Sequence, residues 1–76
     1  MIRRTIKIRG FQDAQEFNRK CIHFTCDMDL AQGKYLIDAK SIMGIFSIDL
    51  EKTAELQADT EDEALIDETF KDFIVS

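Results

Sequence analysis

The sequence predicts an α+β fold of the open-faced sandwich type, with helices on one face of a four-stranded antiparallel sheet. Several short stretches alternate between apolar and polar residues, as half-buried strands do. Between them lie stretches with apolar residues at helical spacing, each preceded by residues that favour a helix N-terminus. In chain order these segments give β-α-β-β-α-β-α. The chain has 76 residues, 45% of them hydrophobic, and no proline, so we expect one folded domain over residues 1–76.

The first strand is predicted over residues 2–9, where apolar and polar residues alternate until Gly10 interrupts the pattern. Asp13 and Glu16 have the spacing of a capping box, in which Asp13 accepts from first-turn amides and Glu16 reaches back. The helix that follows has a single apolar stripe, formed by Ala14, Phe17, Cys21 and Phe24.

A hairpin and a short helix are predicted next. Strands at residues 25–30 and 35–40 alternate in the same way, and Gly33 can adopt the positive φ of a tight turn between them. Ser41 is a suitable N-cap for a short helix that runs through Ile48.

The last strand and helix follow from residues 53–74. Residues 53–58 alternate, and Thr60 with Glu63 has the spacing of a second capping box. The final helix then has an apolar face formed by Ile66, Phe70, Phe73 and Ile74. The uncovered face of the sheet is expected to carry Lys7, Arg9, Asp27, Asp29, Glu55 and Gln57.

Charge is distributed unevenly along the chain, whose net charge is −5. Residues 1–24 carry six basic against two acidic residues, a net +4, whereas residues 51–76 carry two lysines against nine acidic residues, a net −7. The basic segment alone could suggest nucleic acid. Because the many acidic residues would repel phosphates, we expect no nucleic-acid partner and expect basic and acidic faces to pair within the fold.

The two cysteines are too few for a disulfide framework, and nothing resembles a secretory signal. We therefore expect a cytoplasmic protein with reduced, buried thiols at Cys21 and Cys26. No apolar run has the roughly 20 residues that a membrane span needs. No zinc spacing, phosphate-binding glycine loop or nucleophile–base pair is present, so we expect no metal, no cofactor and no independent catalytic site.

One stretch carries a more specific signal. It is KSIMGIFSIDL, residues 40–50, and six of its 11 residues are large and apolar. A short amphipathic helix cannot turn all of them inward. Lys40-Ser41-Ile42-Met43-Gly44, followed by an apolar pair and Ser47, resembles the central motif of HPr, the phosphocarrier of the bacterial sugar phosphotransferase system. The resemblance covers nearly the whole chain as topology, and it is strongest over residues 28–50.

The part of HPr that carries its chemistry does not match. HPr proteins have a phosphorylatable histidine in a His-Ala-Arg-Pro-like segment at the start of the first helix. Residues 10–16 of this chain contain no histidine, proline or arginine, and the chain is several residues shorter there. His23 is the one alternative acceptor. It lies near the end of the predicted helix, where the dipole disfavours a phosphoryl anion.

The resemblance implies a regulatory serine instead. In HPr proteins of low-GC Gram-positive bacteria the serine of this motif is phosphorylated by a bifunctional kinase/phosphorylase, and the phosphoserine form binds a catabolite-control transcription factor. Ser41 is the matching residue, and a helix N-terminus can hold the added charge. Ser41 can also be a plain helix cap.

The family docks its partners, enzyme I among them, through this helix. The resemblance therefore implies a partner-binding surface, formed by Lys40, Ile42, Met43, Phe46 and Ser47. We expect Ile42, Met43 and Phe46 to be its exposed apolar patch, with a solvated Lys40 beside it, and Ile45 and Ile48 to enter the core. The alternative for this helix is that all of its apolar residues belong to the core. The alternatives for the function are a phosphocarrier that uses His23 and a binding module without phosphorylation. A monomer or a weak dimer fits the sequence.

Overall fold

The computed structural model describes residues 1–76. Seven elements follow the predicted order. They are β1 (Ile2–Ile6), α1 (Phe11–Ile22), β2 (Met28–Gln32), β3 (Tyr35–Asp38), α2 (Ile42–Ser47), β4 (Ala54–Ala58) and α3 (Glu63–Thr69). The strands form one antiparallel sheet in the order β1-β4-β2-β3. None of the helices combines the length and hydropathy of a bilayer-crossing segment.

The strand β1 is shorter than predicted, because β4 offers it only five partners. The register runs from Ile2 opposite Ala58 to Ile6 opposite Ala54. Beyond Ile6 the chain turns to other partners, and the Lys7 amide donates to the Phe73 carbonyl at 2.9 Å. The prediction of a strand that continues to residue 9 was therefore wrong, although Ile8 is buried as the alternation required.

The first predicted capping box does not form. Helix α1 begins at Phe11 with Gly10 as its N-cap, at φ +97°, a conformation that glycine adopts without a steric penalty. Asp13 lies within the first turn and accepts from the Arg9 amide at 2.9 Å. Glu16 pairs with Arg19 along the helix instead of reaching back.

The second predicted capping box is displaced by two residues. Asp62 is the N-cap of α3, and its carboxylate accepts from the Leu65 amide at 3.1 Å. The Thr60 hydroxyl accepts from the Asp62 amide at 3.2 Å, which fixes the turn that precedes the cap. An aspartate at the N-cap also places a negative charge at the positive end of the helix dipole.

The core lies where the predicted apolar stripes meet, between one face of the sheet and the helices. Phe17 is fully buried, and its ring lies 5.2 Å from the Phe70 ring and 5.3 Å from the Phe73 ring. Phe24 lies just beyond α1 and stacks on Phe70 at 5.7 Å. Met28, Leu30 and Leu56 close this cluster from the sheet. The opposite face of the sheet carries half-buried polar residues that include Asp29, Glu55 and Gln57.

The basic start of the chain meets its acidic end, as the charge distribution predicted. The Arg4 guanidinium lies 2.7 Å from Asp67 and 2.8 Å from Glu63, both on α3. Arg3 lies 3.6 Å from Glu55 on the neighbouring strand β4. These pairs neutralise part of the positive surface that a nucleic acid would need.

The Arg4–Asp67 pair leads to a prediction about pH. The guanidinium donates to both carboxylate oxygens, at 2.7 and 3.2 Å, and so holds the pKa of Asp67 below its usual range. Because the pKa of Asp67 is lower in the folded chain than in the unfolded chain, where it is about 3.9, the ion pair stabilises the fold at pH values above about 3.9. That stabilisation is lost as the pH falls through the pKa of Asp67 in the folded chain. We expect Arg4→Met to raise the pKa of Asp67 towards about 3.9 in an NMR titration. Arg3→Met is the matched control and should leave Asp67 unchanged.

Candidate functional site

Ser41 lies at the N-terminus of α2 and caps it. The Ser41 hydroxyl oxygen accepts from the Gly44 amide at 3.2 Å, and the Ser41 carbonyl accepts from the Ile45 amide at 3.1 Å. The side chain is half-buried and points at the amides that open the helix. The predicted cap is thereby confirmed. The same position suits added negative charge, since helix N-termini stabilise anions.

Lys40 differs from the solvated side chain that was expected. Its ammonium group donates to the Phe24 carbonyl at 2.7 Å, and the residue is half-buried. This bond ties the start of α2 to the segment between α1 and β2. The ammonium group is therefore held by a backbone carbonyl instead of extending freely into solvent. Its predicted part in partner binding remains a proposal.

Gly44 allows α2 to approach β3 closely. A Cβ atom added there would lie 3.3 Å from the Asp38 carbonyl oxygen and 3.5 Å from the Ile37 Cβ. The approach to the Asp38 carbonyl is tight, so a side chain at position 44 would require a shift of a few tenths of an ångström between helix and strand. Ser47, one turn later, is exposed and donates its hydroxyl to the Gly44 carbonyl at 2.6 Å.

The predicted division of the apolar residues of α2 and its C-cap is confirmed for Met43, Ile45 and Ile48, whereas Ile42 and Phe46 are less exposed than predicted and Phe46 packs partly against the core. Ile45 is fully buried and Ile48 nearly so. Met43 is 76% exposed, and Ile42 and Phe46 are half-buried. A six-residue helix presents only one face to the core, which accounts for the division.

Helix α1 contributes to the same surface, which sequence reasoning missed. Phe11 is 61% exposed and stacks on Phe46, with ring centres 5.0 Å apart and an angle of 10° between the planes. Ile22, also exposed, lines a shallow groove together with Ile42. Phe11 and Ile22 are about three helical turns apart and so share one face of α1. We call the combined surface the α1–α2 apolar patch, and its members are Phe11, Ile22, Ile42, Met43 and Phe46.

The only histidine lies far along α1 from its start. His23 is the exposed C-cap, and its backbone amide donates to the Cys21 carbonyl. The negative end of the helix dipole therefore faces the imidazole, which disfavours a phosphoryl anion on it. At the other end of α1, where a family phosphohistidine would lie, the structure places Gly10 and the Asp13 carboxylate.

The two thiols have different environments. Cys21 is fully buried, and that burial raises the pKa of its thiol to about 12. It therefore stays protonated at neutral pH, and a thiol rather than a thiolate is a weak nucleophile. Cys26 is half-buried, so the prediction of two buried thiols is correct only for Cys21. No cluster of three or more His, Cys, Asp or Glu side chains has the geometry to hold a metal ion.

Comparison with solved structures identifies a close structural neighbour. The crystal structure of HPr-C-His from Thermoanaerobacter tengcongensis matches with a TM-score of 0.77 and 25% sequence identity, covering 95% of this chain and 89% of that chain. No protein-family model matches the sequence, and no curated protein matches it either. The chain has the HPr-like fold, an α+β open-faced sandwich, as the resemblance over residues 28–50 implied.

Proposed function

We propose that this chain is a regulatory protein-binding module related to the sugar phosphotransferase system, which docks partners through α2 and is switched by phosphorylation at Ser41. The observation that carries the proposal is the position of Ser41 directly beside the α1–α2 apolar patch. Met43, the most exposed member of that patch, follows Ser41 by two residues. A change at Ser41 therefore alters the rim of the surface that a partner would cover.

A phosphate at Ser41 would act through charge and hydrogen bonding. It adds about −1.5 to −2 charges and three acceptor oxygens. The Gly44 amide already points at the Ser41 oxygen and can continue to donate to it. The Lys40 ammonium is held by the Phe24 carbonyl, and the Asp38 carboxylate lies nearby, accepting from the Lys40 amide at 2.9 Å. The helix amides would therefore stabilise the phosphate without a free cation of the chain beside it, which leaves its charge available to an arginine or lysine of a partner.

The partners proposed for this surface are those of the family that the chain resembles. They are an HPr kinase/phosphorylase, a catabolite-control transcription factor and an enzyme I-like component, all cytoplasmic. A patch of Phe, Met and Ile side chains rimmed by Ser41, Ser47 and Lys40 suits such contacts, because aromatic residues and methionine are enriched in the centres of interfaces. The proposal includes no reaction catalysed by the chain itself.

The proposal is tested by intact-mass spectrometry after incubation with ATP and an HPr kinase from a Gram-positive source. We expect a single phosphate on the wild-type chain and on Ser47→Ala, and none on Ser41→Ala. Ser47 is the matched control, since its hydroxyl is also on α2 and is more exposed. An unmodified wild-type chain beside a modified HPr control would contradict the switch and leave Ser41 as a helix cap.

A further inference from the structure

The strand β3 is an open edge of the sheet. It pairs with β2 on one side and with no strand on the other. The opposite edge, β1, is covered near Thr5 by the end of the chain, where the Thr5 amide donates to the Ser76 carbonyl at 3.0 Å. On β3, Tyr35 is 62% exposed and Leu36 is 63% exposed. A bare strand edge with large apolar side chains favours pairing with another chain.

The backbone groups that β3 offers to a partner follow from its pairing with β2. The Ala39 amide donates to the Met28 carbonyl, so Ala39 faces inward. Hydrogen-bonding direction alternates along a strand, which turns Ile37 inward and Leu36 and Asp38 outward. The Asp38 carbonyl is occupied by the Ser41 amide at 3.0 Å. The amide and carbonyl of Leu36 and the amide of Asp38 therefore point into solvent.

The charges along this edge form no ion pair within the chain, and the Asp38 carboxylate has only the Lys40 amide as a donor, at 2.9 Å. Asp29 on β2 lies directly opposite Asp38 on β3, and like charges in opposed positions are destabilising. Lys34 lies in the exposed turn that begins β3. None of these three residues takes part in an ion pair within 4.0 Å.

We propose that two copies of this chain pair through their β3 edges in an antiparallel dimer centred on Leu36. In that register Leu36 faces Leu36, and Lys34 of each copy faces Asp38 of the other. The Leu36 amide of each copy donates to the Leu36 carbonyl of the other, and the Asp38 amide donates to the Lys34 carbonyl. Lys34 of each copy then approaches Asp38 and Asp29 of the other copy, two carboxylates that repel one another. Tyr35 of one copy packs against Ile37 of the other.

The outward-facing backbone groups of β3 allow several registers between the two strands. Charge complementarity favours the register centred on Leu36. Sliding one strand so that Ile37 becomes the centre places Lys34 opposite Lys40. Centring the pair on Tyr35 instead places Lys34 opposite Leu36 and leaves Asp38 without a cation. The proposal is independent of the proposed function, since it uses neither Ser41 nor the α1–α2 apolar patch.

The test is sedimentation equilibrium of the full chain in reducing buffer, up to roughly 1 mM, an affinity range suited to a small interface. We expect the mass to rise from monomer to dimer over this range. Hydrogen exchange of the Leu36 and Asp38 amides should slow with concentration in parallel, which locates the interface. A chain that remains monomeric throughout, or a dimer in which these two amides exchange at the monomer rate, overturns the proposal.

Lys34→Glu tests the register without touching the core. It should weaken the dimer by roughly tenfold or more, because it replaces attraction with repulsion at both ends of the pair. Arg9→Glu is the matched control, since it makes the same charge change at an exposed residue that follows β1, at the opposite edge of the sheet, and its dimer should equal the wild type. Equal dissociation constants for Lys34→Glu and Arg9→Glu overturn the proposed register.

Discussion

Replacement of Phe17 by alanine is expected to destabilise the chain by about 3–5 kcal/mol, the usual cost of deleting a buried phenyl ring. Phe17 is fully buried and contacts the rings of Phe70 and Phe73, which follow α3. A chain of 76 residues has a total stability of only about 4–11 kcal/mol. The loss would therefore amount to a large part, or all, of the free energy of unfolding. Urea denaturation followed by circular dichroism measures the change in the unfolding midpoint.

Phe11→Ala provides the matched control for this prediction. It removes the same ring from the same helix, but Phe11 is 61% exposed. Its one aromatic contact, the stacking on Phe46, accounts for a loss of about 1 kcal/mol. If the two variants lost similar stability, Phe17 would not be the centre of the core described above.

Met43→Asp is expected to weaken binding of the HPr kinase/phosphorylase about 30-fold or more. Met43 is 76% exposed, the most exposed member of the α1–α2 apolar patch, and removal of an interface residue that a partner buries fully can cost about 2 kcal/mol. An aspartate would also leave a charge buried under the partner. In the first turn of α2 it should not harm the helix itself. The dissociation constant can be measured by calorimetry.

Leu65→Asp is the control for Met43→Asp, because Leu65 is an exposed apolar residue on α3, outside the patch. We expect it to bind the kinase as the wild type does. Equal weakening by both substitutions, or by neither, would remove the α1–α2 apolar patch from the proposed function.

The features predicted correctly from the sequence are those that depend on local patterns. The alternation that buries Ala54, Leu56 and Ala58 identified β4 with nearly its observed limits. Ser41 could be assigned as a cap because a serine before a short apolar helix has few other local roles. The exposure of Met43 followed from the size of α2, since one short helix cannot bury every apolar residue it carries.

The features that were missed depend on tertiary contacts. The expected strand continued beyond Ile6, but the length of β1 is set by β4, a partner distant in sequence. Lys40 looked solvated because the carbonyl of Phe24, which accepts from it, is brought there only by the fold. Phe11 falls outside the buried stripe of α1, and its stacking on Phe46 requires the packing of α1 against α2. The spacing of Phe11 and Ile22 on one face of α1 could be read from the sequence. That α2 lies beside this face could not.

This chain has an HPr-like fold, and under the proposed function it acts by binding, without carrying a phosphoryl group on histidine. The most direct measurement is intact-mass spectrometry after incubation with phosphoenolpyruvate and enzyme I, followed by brief acid treatment. We predict no added phosphate on this chain while an HPr control gains an acid-labile one, because His23 lies at the wrong end of α1. An acid-labile phosphate that disappears in His23→Ala would contradict the account and make the chain a phosphocarrier.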